Sequence, residues 1–87
     1  IGMFYEEEFT SASYTVFEKD NKIFVKNLLK NGQSTQNEMI ESKVENGKKL
    51  EFKDGLYNGE YYILTNNNQL EFYNKENKNF TTAIEIK

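Results

Sequence analysis

The stretch Glu60–Tyr73, EYYILTNNNQLEFY, sets two apolar runs on either side of three asparagines. Successive residues of a strand point to opposite faces, so Tyr61 and Ile63 share one face while Tyr62 and Leu64 share the other. Both sets are apolar, which predicts a strand covered on both sides. Asn66, Asn67 and Asn68 tolerate positive φ and bond their own backbone, and so predict a turn that brings Gln69–Tyr73 back as the second strand of a hairpin.

Working outward, the segment before this hairpin reads as alternating strands joined by tight turns. Ser13–Lys19, SYTVFEK, alternates Tyr14 and Val16 against Phe17. A two-residue turn at Asp20–Asn21 then pairs Phe17 with Phe24 and Val16 with Val25, apolar with apolar on both faces. Lys22–Leu29 continues as a strand to the turn at Asn31–Gly32. Gly32–Glu38, GQSTQNE, has no apolar period and reads as a loop or an exposed strand; a helix over 33–45 is the minority alternative. Met39–Val44 reads as a half-solvated strand with Ile40, Ser42 and Val44 on one side. A three-residue loop Glu45–Asn46–Gly47, with Gly47 left-handed at a bulge, sets Ile40 against Phe52 and Ser42 against Leu50 and keeps the apolar face whole. Asp54–Gly55 and Asn58–Gly59 bracket a compact turn before the Glu60–Tyr73 hairpin.

The two ends complete the pattern. Phe4–Phe9, FYEEEF, reads as an edge strand whose adjacent acids Glu6, Glu7 and Glu8 splay into solvent and discourage edge-to-edge pairing. Phe80–Lys87, after the polar link NKENKN, alternates Thr82, Ile84 and Ile86 with Thr81, Ala83 and Glu85 as a closing strand. The sum is one all-β domain over 1–87, a single antiparallel meander of six to eight strands rolled into a small barrel or sandwich.

Composition narrows the chemistry. The 87 residues contain no cysteine, histidine, tryptophan, proline or arginine and carry a net charge of −3. Thiolate nucleophiles, imidazole bases, Ser-His-Asp triads and ordinary zinc sites are therefore absent, and the expectation is a non-enzymatic protein with no cofactor. Without arginine or a basic stripe, nucleic acid is not an expected partner. No apolar run is long enough for a spanning helix, so membrane insertion is not expected either. The abundance of asparagine, lysine, isoleucine and tyrosine follows A/T-rich codons and points to a bacterial or phage source. Ile1–Gly2 reads as a tag scar before Met3 or as the front of a trimmed precursor; the first implies a cytoplasmic protein, the second a secreted or cell-envelope one.

Carboxylates alone could carry catalysis. Glu60 and Glu71 are the pair that the hairpin could bring near each other, but a domain of this size leaves little room for a substrate cleft. Asp54, Asn58 and Glu60 offer calcium ligands, yet Leu56 stands where an EF-type loop needs an oxygen. YNGEYY (57–62) resembles the core of membrane-occupation-type β-hairpin repeats, and the segment 61–78 resembles one blade hairpin of a β-propeller. Such repeats recur at a fixed period and a propeller takes several blades; no second copy of either pattern occurs, so neither resemblance assigns a family.

What remains is aromatic surface. Six tyrosines and seven phenylalanines exceed what a thin core can enclose, and tyrosine suits interfaces because its ring is apolar and its hydroxyl can stay wet. Tyr57, Tyr61, Tyr62, Phe72 and Tyr73 are the candidate binding face. The leading expectation is a small binding or inhibitory module acting through a protein interface or self-association. The alternatives are a carbohydrate or small-ligand binding domain, with rings stacking on the ligand and asparagines bonding its hydroxyls, and one structural module of a longer surface protein.

Overall fold

The computed structural model describes residues 2–54 and 59–86. Eight strands follow one another: β1 (Gly2–Glu6), β2 (Ala12–Lys19), β3 (Lys22–Leu28), β4 (Ser34–Val44), β5 (Gly47–Phe52), β6 (Tyr61–Thr65), β7 (Gln69–Tyr73) and β8 (Asn79–Glu85). Each pairs antiparallel with its neighbours in sequence, and β8 pairs back onto β1 through Phe4↔Glu85 and Tyr5↔Ile84. The meander is thus a closed barrel, without a helix among the described residues. The 33–45 segment, the one place where a helix was an alternative, is mostly β4.

The hairpin turns follow local chemistry. Asp20 and Asn21 both take positive φ, 55° and 63°, the requirement of the two-residue turn whose twist matches the flanking strands. The register that follows pairs Phe17 with Phe24 and Val16 with Val25, as the apolar pattern predicts. Asn68 stands at φ 60°, its N–H donates to the Thr65 carbonyl at 3.0 Å, and the Thr65 hydroxyl accepts from the Gln69 N–H at 3.1 Å. At 74–78 the Asn74 side-chain carbonyl accepts from the Glu76 and Lys78 N–H groups, each at 3.0 Å, and Asn77 takes φ 64°. Whatever codon bias supplied these asparagines, the turns use them.

Three expectations are corrected. First, β1 is not an edge: closure leaves it paired on both sides, and Glu7 and Glu8 lie in a turn beyond its end. Second, the β4–β5 turn holds two residues, Glu45 and Asn46, so that Met39 faces Phe52 and Glu41 faces Leu50. Relative to the bulged register this shifts the pairing by one residue. It buries Met39 beside Ile23 and leaves Ile40 half exposed on the outer wall; a side chain as large as methionine inside the barrel outweighs an unbroken apolar stripe on β4. Gly47 keeps the expected positive φ, 156°, though at a two-residue turn and not at a bulge, and it is needed for space as well. A Cβ there would collide with the Leu64 carbonyl oxygen and stand 2.9 Å from both the Leu64 carbonyl carbon and the Thr65 Cα. Third, β6 is covered on one face only. Leu64 is buried in the core, whereas Tyr61 and Ile63 lie half-buried on the outer wall, which carries no second layer of strands or helices among the described residues. The compact turn expected between Asp54 and Gly59 lies outside the described residues at 55–58.

Alternation along each strand sends Phe4, Val16, Ile23, Leu50, Leu64, Leu70 and Ala83 inward. The turns at 20–21, 45–46 and 66–68 gather at one end of the barrel; the connections after β1, β3, β5 and β7 gather at the other, and they are longer. Eight strands enclose a space just wide enough to be filled by side chains or to hold one small ligand. Aliphatic side chains fill the turn end, and aromatic ones line the loop end.

Candidate functional site

At the loop end the barrel opens into a cavity of about 260 Å³. Its base is Tyr14, Val25 and Phe72, all buried, with Phe52 and Tyr62 as half-buried walls. The rings meet at steep angles. Phe72 lies edge-to-face against Tyr14 (4.9 Å between centroids, 88°) and against Tyr62 (4.9 Å, 67°), and Phe52 is tilted against Tyr62 at 5.5 Å. Edge-to-face packing places the positive rim of one ring on the negative face of the next. Asn27, Thr35 and Asn37 add polar groups along β3 and β4, the Thr35 hydroxyl donating to the Asn27 side-chain carbonyl across the ladder. Glu60 stands at the rim, just before β6.

Two further features shape this mouth. The first is a bulge in β8. Phe72 pairs with Thr81 but Tyr73 pairs with Asn79, so Phe80 is the extra residue. The Asn79 side-chain amide donates to the Phe72 carbonyl (3.1 Å) and to the Thr81 carbonyl (2.9 Å), holding the kink. An extra residue re-aims a side chain, and Phe80 turns to the mouth, where it packs edge-on against Phe72 and Phe9.

The second feature is Glu6, whose side chain is completely buried. Its carboxylate accepts from the backbone N–H groups of Glu8 (2.9 Å), Phe9 (3.0 Å) and Thr10 (2.5 Å), and from the hydroxyls of Thr10 (2.8 Å) and Thr81 (2.7 Å). Burial alone would raise its pKa. The bonds from the Thr10 backbone, the Thr81 and Thr10 hydroxyls and the Phe9 backbone overcome burial and hold the pKa down to about 2. Glu6 thereby ties the 7–10 turn to β1 and β8 and sets Thr10 in the cavity lining. The sequence does carry a signal for it: Glu6 shares the inward parity of Phe4. Two further acids beside it mask that signal.

The predicted aromatic face is divided by the barrel wall. Tyr62 and Phe72 point inward; Tyr61 and Tyr73 face outward, stacked parallel at 5.0 Å and 1°. All four meet again at the cavity mouth, which each of them lines. Tyr57 lies outside the described residues. On the outer wall the Lys49 ammonium sits over the Tyr61 ring, 4.4 Å from its centroid, and the Tyr61 hydroxyl donates to Asn77 at 2.9 Å. The Tyr73 hydroxyl donates to Glu71 at 2.8 Å; burial first, then the bond to that carboxylate and its charge, push the Tyr73 pKa up to about 12.

Glu60 and Glu71 are not brought together. Glu71 lies on the outer wall opposite Ile63, while Glu60 borders the cavity. Among the described residues no group of acidic side chains has the arrangement of a metal site; Asn58 of the calcium candidates lies outside them. Another depression, on the outer wall, is bordered by Tyr5, Thr82, Ile84 and Ile86. No protein family, curated protein or solved structure matches this chain.

Proposed function

We propose that the protein is a non-enzymatic binding module that takes a small ligand into the loop end of its barrel. The observation that carries this reading is the aromatic cavity itself. Filling the barrel with side chains gives the better core, since protein interiors pack without voids of this size. Here aromatic rings and a few polar groups surround open space instead, the usual composition of a small-molecule site. The split of the hairpin tyrosines across the wall supports the same reading, because it removes the flat, continuous aromatic face that a protein interface on this hairpin would use.

A thermal-shift screen of sugars, amines and apolar fragments tests it. Ligands that bind only the native state raise Tm, and raise it further as their concentration climbs above Kd. The expected result is stabilisation of the wild type by at least one compound class, lost in Asn37→Phe, which puts a ring into the cavity from a half-buried position on β4. Stabilisation retained in Asn37→Phe would place the ligand elsewhere.

One observation favours protein association as a second reading. Met3, Tyr5, Ile84 and Ile86 are each more than two-fifths exposed and stand together on the outer wall of β1 and β8. Apolar groups clustered in this way often mark an interface. Sedimentation of the wild type and of Ile84→Lys tests this: concentration-dependent association lost in the variant supports the reading, and a monomer at all concentrations removes it.

A further inference from the structure

We infer that the ligand of the barrel mouth is an organic cation, with an ammonium or alkylated ammonium head seated among the rings; this rests on the cavity being a ligand site. The charge of the lining is the first ground. Among the described residues that line the cavity, Glu60 is the one charged group, and no lysine borders the space although the chain has eleven. Glu60 makes no ion pair among the described residues, whereas Glu38, Glu41 and Glu51 each have a lysine. An anionic ligand would find no counter-charge here and would meet a carboxylate at the entrance.

Ring geometry is the second ground. A sugar stacks on one flat aromatic platform. Tyr14, Phe52, Tyr62, Phe72 and Phe80 instead meet at 56° to 88°, centroid to centroid within 6.2 Å, so the lining is a concave set of rings. The negative faces of such rings attract a cation, more strongly where water is excluded, and sites for quaternary ammonium groups are built in this way. The Glu6 staple and the Phe80 bulge complete the enclosure on the side of β1 and β8. The hairpin already shows the chemistry on its other surface, where Tyr61 carries the Lys49 ammonium.

The test is calorimetric titration of the wild-type chain with choline and with its uncharged isostere 3,3-dimethyl-1-butanol, with glucose as the neutral polyol. Both alcohols have the same bulk, so the difference between them reads the charge. The expected result is that choline binds about tenfold or more tightly than the isostere, in the range of a desolvated cation–π contact. Glu60→Gln, a change at an exposed position, is expected to weaken choline severalfold and leave the isostere unchanged. Equal affinity for choline and the isostere, or binding of glucose alone, overturns the cation inference and leaves the cavity a ligand site. If none of the three binds while the thermal-shift screen finds a cavity ligand of another class, the cation inference again fails by itself. If neither experiment finds a ligand, both readings fall.

Discussion

Replacing Glu6 by glutamine should reveal how much of the stability rests on one buried carboxylate. Five donors converge on it, three from the backbone of the 7–10 turn and two from threonine hydroxyls. Its pKa is about 2 in the folded barrel against 4.5 for the free side chain. A folded-state pKa below the unfolded one means that the stabilisation is complete above about pH 4.5 and is lost as the pH falls toward 2. One pH unit between the two pKa values is worth about 1.4 kcal/mol, so the interval corresponds to about 3 kcal/mol. For a domain with roughly 5–15 kcal/mol in total, that is a large share. Glutamine keeps the shape but cannot titrate, and its amide turns donors toward donors. Urea denaturation of both proteins at pH 7 and at pH 2.5 separates this residue from the other carboxylates, which both proteins share. Wild type should exceed Glu6→Gln by about 3 kcal/mol or more at pH 7, and most of that difference should vanish at pH 2.5. An equal difference at both pH values would mean that the carboxylate is bound no more tightly as an anion than as an acid.

Other outcomes follow from the same structure. Leu64→Ala should cost about 2–5 kcal/mol because it empties a buried site, whereas Ile63→Ala on the outer wall should cost distinctly less; equal losses in equilibrium unfolding would mean that a second layer covers the wall. Gly47→Ala should destabilise by well over about 1 kcal/mol, because the backbone of Leu64 and Thr65 occupies the space a Cβ needs, and a neutral result in the same assay would contradict that close approach. With no histidine in the chain and the Glu6 transition lying below pH 4.5, the denaturation midpoint should be nearly constant from about pH 5 to 8. Phe80→Ala, at a partly exposed bulge position, should change Tm little and weaken any cavity ligand; a large loss of stability with unchanged binding would make Phe80 a core residue.

Much of the fold can be read from residue order, because strand alternation and turn chemistry act locally. The Asp20–Asn21 hairpin shows this best: two residues that accept positive φ fix a register that also matches phenylalanine with phenylalanine. The β4–β5 turn resists such reading. Its alternatives differ by one residue, and the choice depends on the space beside Ile23 that Met39 fills and on the approach of Leu64 to Gly47. Both contacts come from outside the hairpin itself, from the flanking strands β3 and β6. Closure is equally non-local, since nothing within FYEEEF announces a β8 partner. The site was legible in part. Aromatic excess and the hairpin ring positions lead to the loop end of the barrel, where the candidate cavity opens. Sorting Tyr62 and Phe72 from Tyr61 and Tyr73 needs only the strand period, but knowing that the inner set borders open space needs the closed barrel. Phe80 reaches the mouth through a bulge, and Glu6 finds its partner Thr81 across 75 residues of chain.

Whether a ligand enters the loop end is decided by a residue-resolved NMR map of the barrel titrated with a compound that raises its Tm. Shift changes are expected at the loop end alone, at Tyr14, Val25, Asn37, Phe52, Tyr62 and Phe72, with the outer-wall group Met3, Tyr5, Ile84 and Ile86 unmoved. Changes centred on Met3, Tyr5, Ile84 and Ile86, with the cavity residues silent, would contradict entry at the loop end.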